Sequence, residues 1–255
     1  MPLTGMALRH HVETHDAYAS HVFGDGSAGI VMTCEHASER VPEGFAREVG
    51  FTWPEADAWL RGTHWAYDLG AEAIALEHAA AVGARLVCAR FSRLLVDPNR
   101  PITSDTLFRD VAEGRTITMN RALSQRAKEA RVGLLYEPFH AAVDRAVSES
   151  TRAEVVFAVH TFTNEYEGQR RSLEVGILFD REDALGARVI AGLRTAGFDV
   201  AANEPWSGKA GLIHVASHHG DRYGKRALEL EVRQDLAENP AFRARLVPVL
   251  ADLLR

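Results

Sequence analysis

The sequence predicts an α/β domain with helices on both faces of a mixed sheet. Short apolar runs such as "GIVMTC" (29–34) and "EVVFAVHTF" (154–162) have the composition of strands buried on both faces. Ala-, Leu- and Glu-rich stretches such as "YDLGAEAIALEHAAAVG" (67–83) alternate with them and read as helices. No repeat, low-complexity linker or break in composition divides the 255 residues, so a single domain over 1–255 is the economical reading.

In chain order, "MPLTGMALRHHVETHDAYASH" (1–21) lacks an apolar signal core. Its four histidines are spread through polar sequence and read as surface residues, so 1–27 reads as a peripheral segment. "GDGSAG" (24–29) matches G-x-G-x-x-G but precedes a strand, whereas a dinucleotide loop follows one; it reads as a turn. Gly83 closes the helix of 67–83. "ARLVCARFSRLLVD" (84–97) reads as one strand, or two joined by a bend. Residues 118–150 read as helical with a break near Pro138. Strands follow at 154–162 and 172–180, a helix at 182–196, strands at 198–205 and 227–234, and a terminal helix at 239–254.

Composition narrows the functional classes. Hydrophobic residues make up 46% and charged residues 25%, with a formal charge of −6 and no basic block. Nucleic acid is not an expected partner, because phosphate binding needs clustered Lys and Arg. No apolar run approaches the ~20 residues of a membrane span. Cys34 and Cys88 lie far apart in sequence and form no CxxC, which fits a reducing cytoplasm better than a disulfide framework.

Ligands of open α/β sheets bind beyond the carboxyl ends of the strands. His36 ends the strand of 29–34, and Asp97, Asn99 and Arg100 end "RLLVDPNR". His160 lies near the end of "VVFAVH", and Glu231 shares one face of the last strand with Glu229 and Arg233. Two histidines with several carboxylates form a metal-site composition suited to Zn²⁺. Singly, each residue has a plainer reading. Asp68 is placed to cap the helix that follows it, and Glu231 is placed to pair with an arginine.

Several blocks, in order, resemble the N-formylglutamate amidohydrolase family: "CEHASERVP" (34–42), "YDLGA" (67–71), "FSRLLVDPNRP" (91–101), "YEPFH" (136–140), "VHTFT" (159–163), "NEPWSG" (203–208), and "HG" (219–220) followed by "ALELEVRQDL" (227–236). The resemblance implies a three-layer α/β/α, phosphorylase/hydrolase-like domain similar to zinc exopeptidases. It implies a divalent metal, zinc, held by His36, an acid and His160, with Glu231 as the catalytic carboxylate. Asp68 is the expected acid. Glu35 and Glu39 are the alternatives, and Glu39 departs from the Asn that family members often carry. Glu35 is then an orienting partner of a ligand.

The implied reaction is hydrolysis of an N-acyl amino acid, N-formyl-L-glutamate to formate and L-glutamate. Arg93 and Arg100 suit the substrate carboxylates, and Asn99 suits the acyl oxygen. His140 suits a carboxylate or an oxyanion, His219 less so, and Asp97 suits an arginine. Two other classes stay open: a cysteine amidase using Cys34 with His36, and a non-catalytic carboxylate-binding protein.

Overall fold

The computed structural model describes residues 10–166 and 168–255. Eight strands form one mixed sheet in the order β1-β2-β4-β3-β7-β12-β10-β11. These are β1 (His10–Thr14), β2 (Tyr18–Phe23), β3 (Ile30–Cys34), β4 (Arg85–Ala89), β7 (Val155–Phe162), β10 (Val175–Leu178), β11 (Val200–Ala202) and β12 (Arg226–Arg233). Two small hairpins, β5 (Val111–Ala112) with β6 (Arg115–Thr116) and β8 (Glu165–Tyr166) with β9 (Gln169–Arg170), stand outside it. The helices are α1 (Glu43–Val49), α2 (Ala71–Val82), α3 (Gln125–Arg131), α4 (Glu137–Glu149), α5 (Asp183–Thr195), α6 (His214–Arg222), α7 (Gln234–Ala237) and α8 (Pro240–Leu253). The result is a three-layer α/β/α domain, and no helix among the described residues is long and apolar enough to cross a membrane.

Strand alternation sorts the core into two layers. Ile30, Met32 and Cys34 of β3, Phe157 and Val159 of β7, and Leu228, Leu230 and Val232 of β12 pack with Ile74 of α2, Val189 of α5 and Leu246 of α8. Val31, Val87, Val156 and Ala158 face the other way, toward Phe139 and Val143 of α4 and Val215 of α6. Strands β4, β3, β7 and β12 run parallel. The chain leaves β3 through α2 to reach β4 on one side, then returns through α3 and α4 to β7 on the other. The β3/β7 junction is therefore the topological switch point, where a crevice opens beyond the strand ends.

Several segments differ from the sequence expectations. Residues 10–23 are not peripheral. They form β1 and β2, which extend the sheet beyond β4. His21 is buried there, 3.1 Å from the His10 ring, while residues 1–9 lie outside the described residues. Only 85–89 of the 84–97 stretch is strand, and the rest is turns. The helix does not break at Pro138. It continues from α3 into α4 through a π-helical turn at Val132–Tyr136, and this wider turn just before Pro138 accommodates the proline ring and its missing N–H. The glycines of 24–29 form the turn into β3.

His78, on the buried side of α2, packs its ring edge-on to Phe157 at 5.5 Å, and neither ring nitrogen has a hydrogen-bond partner. Burial lowers its pKa to about 4. The native state therefore keeps its full stability above the unfolded pKa of about 6.5 and loses it as pH falls toward 4. His78→Leu removes this loss. Urea denaturation should find the variant at least as stable as wild type at pH 7.5, and ahead by about 2 kcal/mol more at pH 5 than at pH 7.5. An unchanged difference between the two pH values would show that His78 titrates normally.

Candidate functional site

Alternation carries Thr33 of β3, His160 of β7 and Glu229 and Glu231 of β12 to the sheet face that also bears α4 and α6. Glu231 lies directly across from His160 in the β7/β12 register. Beyond Cys34 the strand ends and residues 35–36 turn, so Glu35 and His36 both reach the crevice despite being neighbours. Asp68 arrives from the segment before α2, its N–H bonded to His36 O at 2.9 Å. It is not the helix cap. That position belongs to Gly70, in the left-handed region at φ 80°. A Cβ at Gly70 would stand 2.7 Å from backbone and side-chain atoms of Ala237, so only glycine lets the Asp68 turn approach α7.

His36, Asp68 and His160 each offer a ligand atom, and these atoms lie within 4.8 Å of one another. Asp68 Oδ2 is 3.3 Å from His36 Nδ1 and 2.9 Å from His160 Nδ1. Each imidazole turns its other nitrogen to a second acid. His36 Nε2 meets Asp97 Oδ1 at 2.7 Å, and His160 Nε2 meets Glu35 Oε2 at 2.8 Å. Thr33 donates to Glu35 Oε1 at 2.6 Å. Ring nitrogens held by carboxylates in this way are the usual support of metal-binding histidines. Glu39 is directed elsewhere, accepting from Gly62 N at 2.6 Å.

Burial pushes the Asp68 carboxyl up, but His36 and His160 outweigh it and hold the group far below the carboxylate range. Burial likewise opposes ionisation of Asp97, where Arg93 and His36 prevail and hold it low. Glu229 and Glu231 go the other way. Burial, partly offset by His160, raises Glu229 to about 7, and burial with the neighbouring Glu229 charge raises Glu231 well above the usual range. Glu231 Oε2 is buried without a hydrogen-bond partner. Five buried carboxyl groups thus crowd two imidazoles, and an unpartnered acid oxygen remains. That donor set fits a divalent cation.

The crevice opens as a cavity of about 300 Å³ lined by His36, Asp68, Arg93, Asp97, Asn99, Arg100, His160, Glu229 and Glu231. Arg93 reaches Asp97 at 2.7 Å and Asp68 at 3.4 Å, so both its branches meet these two acids. Asn99 Nδ2 lies 3.3 Å from Glu229 and from Leu212 O, and Asn99 Oδ1 accepts from Val215 N. His140 does not line the cavity. It lies behind the loop, 3.1 Å from Pro98 O and 3.0 Å from His219, so a direct substrate contact is not open to it. Cys34 points into the opposite apolar layer, where hydrogen bonding to Cys88 and burial push its thiol well up. This removes the thiolate that a cysteine mechanism needs.

Sequence reasoning did not single out Arg109 and Arg171, or the wall of His64, Trp65, Tyr166 and Trp206, all of which line the same cavity. The Arg171 guanidinium lies 4.8 Å from the Tyr166 ring and 5.2 Å from that of Trp206. These residues come from irregular loops and a small hairpin, where no periodicity announces a direction.

A family model for N-formylglutamate amidohydrolase matches residues 28–237. The fold is similar to the crystal structure of gene product Atu2144 from Agrobacterium tumefaciens, with a TM-score of 0.80 and 30% identity over 93% of both chains. It is also similar to that of N-formylglutamate amidohydrolase from Ralstonia eutropha JMP134, with a TM-score of 0.70 and 18% identity over 94% of this chain and 99% of that one, a likeness of fold. A search of curated proteins gives no match. The chain belongs to the N-formylglutamate amidohydrolase family, and it is an amidohydrolase.

Proposed function

We propose that the chain is a metal-dependent hydrolase of N-acyl amino acids, with N-formyl-L-glutamate as substrate and formate and L-glutamate as products. One observation carries this reading: the buried His36–Asp68–His160 cluster opens, with Glu231 across from His160, onto a cavity walled by arginines. Family membership supports the substrate, and two free, fully buried cysteines fit a cytoplasmic setting.

His36, Asp68 and His160 are the metal ligands in this reading, and imidazole with carboxylate favours zinc. A divalent metal held there supplies Lewis acidity toward the acyl oxygen and brings a water's pKa near 7. The charge of a cation held there would keep the buried Glu231 carboxyl ionised, and Glu231, which lines the cavity, would then accept the proton of the attacking water. It returns that proton to the nitrogen that leaves as the acyl C–N bond breaks. Asp97 and Glu35 hold the far ring nitrogens of His36 and His160. Asn99 and Arg100 face the substrate, Arg93 chiefly fixes Asp68 and Asp97, and His140 supports the Pro98 carbonyl from behind.

His36→Ala and His160→Ala should each stay folded while losing bound zinc and nearly all activity, measured by metal analysis and turnover. Full zinc occupancy in either would remove that residue from the ligand set.

Glu231→Gln keeps the shape but not the base. Its kcat should fall by about 10²–10⁴-fold with zinc retained and KM little changed. Glu229→Gln is the control, and a collapse there with near-normal Glu231→Gln would transfer the role to Glu229.

Arg93→Met frees Asp97, which holds His36, and the ligand Asp68 itself. Its zinc affinity should drop by about 10–100-fold in chelator competition. Unchanged affinity, with only KM raised, would return Arg93 to direct substrate binding.

A further inference from the structure

Asn99 Nδ2 lies 3.3 Å from Glu229 and 3.5 Å from His160 Nε2, so a shift of its backbone moves an amide that touches the candidate site. The carbonyls of its two neighbours are both held by one stripe of side chains. Tyr136, His140 and Asp144 follow one another four residues apart, from the π-helical turn into α4. Tyr136 OH donates to Arg100 O at 2.9 Å, and His140 Nε2 lies 3.1 Å from Pro98 O. His219 of α6 fits between the other two members of the stripe. Its Nε2 is 3.0 Å from His140 Nδ1, and its Nδ1 is 3.6 Å from Asp144 Oδ1. Neither histidine lines the cavity, and the chain runs from the Pro98 carbonyl away from it.

A carbonyl only accepts, so this chain has one direction. His140 carries its proton on Nε2 and donates to Pro98 O. Its Nδ1 is then bare and accepts from His219 Nε2. His219 Nδ1 is bare in turn, buried without a hydrogen-bond partner, and faces the Asp144 carboxylate. Burial first, then the neighbouring histidines, push His140 down to about 3 and His219 to about 4, although Asp144 pulls His219 the other way. Both rings are therefore neutral near neutral pH, and two acceptors meet at the end of the chain remote from the cavity. Arg222 at 3.1 Å and Tyr223 at 2.9 Å hold Asp144 in place there. Apolar side chains in place of both imidazoles would leave no such mismatch and would be at least as stable. What the imidazoles supply is an N–H aimed at Pro98 O.

We propose that His140 and His219, together with Tyr136, are positioning residues: a clamp on the carbonyls flanking Asn99 that fixes its amide beside His160 and Glu229. The backbone between the two held carbonyls has little freedom left, because Asn99 N donates to Asp97 Oδ1 at 3.0 Å and Arg100 N to Asp97 O at 3.2 Å. A misplacement of about 1 Å at such a group lowers turnover by about 100-fold even when its cause lies away from the chemistry. The inference rests on the proposed reaction for the task of Asn99 at the acyl oxygen. The clamp itself rests on the hydrogen-bond chain.

The test separates the two. Imidazole nitrogen NMR of the intact enzyme reads the tautomer, with His140→Gln assigning the signal. His140 should show a protonated Nε2 and a bare Nδ1, and the reverse tautomer would overturn the clamp. The double variant His140→Phe/His219→Leu removes both partners at once. It should match wild type in urea denaturation yet lose about 10–100-fold in kcat, with KM and zinc content little changed. The Asn99 backbone amide should exchange its hydrogen about 10-fold faster. Wild-type kcat and exchange in this variant would overturn the proposal. His140→Gln keeps an N–H within reach of Pro98 O and covers the case of a double variant that does not fold. It should keep most of the kcat that His140→Phe alone loses, and equal losses in the two would also overturn the clamp. A wild type that hydrolyses no N-acyl amino acid would sink the proposed reaction, while the tautomer and the exchange rate would still decide the clamp.

Discussion

The Asp68 carboxylate is the point on which the site turns. It is nearly sealed from solvent, a placement that costs several kcal/mol unless opposite charge and hydrogen bonds offset it. Every offset comes from a different segment: His36 from the end of β3, His160 and the Thr161 N–H from β7, and Arg93 from the loop after β4. One carboxylate thereby draws three loops to one place. Its own segment is held by a bond to His36 O and by the close packing of Gly70 on Ala237, so its position is not free to follow theirs.

Topology decides where those loops meet. The connection from β3 runs to β4 on one side and that from β7 runs toward β10 on the other, so a crevice opens at the carboxyl ends of β3 and β7. Parallel pairing sets residues of β3 beside β7, and β7 beside β12, with the same faces aligned. The pleat then puts apolar residues of all three strands into the layer with α2 and α8, and sends the polar residues at their tips to the other side. The candidate site groups need no special strand geometry. They occupy the half of each strand's alternation that the core leaves to them.

This explains what the sequence made legible. Strands buried on both faces announce themselves by apolar runs, and the polar residues that interrupt those runs near their ends, His36, His160 and Glu231, are the ones the structure gathers. Asp68 was ambiguous because a helix cap and a buried acid look alike in sequence, and only the αL glycine two residues later tells them apart. His140 misled because histidine beside an aromatic block suits a ligand site and a buried prop equally. The strands β1, at the sheet edge, and β2, paired between β1 and β4, were hidden by their polar composition. A strand with one face and one edge in water can be as polar as a loop, and β1 is exposed throughout. Arg109 was invisible for a different reason. Its place depends on Asn120 and Arg131, residues distant in sequence and ordinary in composition.

Asp97 joins the two halves of the site. One of its oxygens holds His36 Nε2, and the other holds Arg93 and faces Arg100. In the proposed reading the same carboxylate orients a metal ligand and partly neutralises the wall that meets the substrate. An incoming carboxylate that draws on Arg100, which only approaches Asp97 at 3.9 Å, would leave Asp97 more strongly committed to His36. A stronger acceptor on Nε2 makes the opposite nitrogen of the ring a better donor to a cation. Binding of the correct substrate would then tighten the metal centre through a single shared group. A neutral amide, which leaves the arginine pairs undisturbed, would have no such effect.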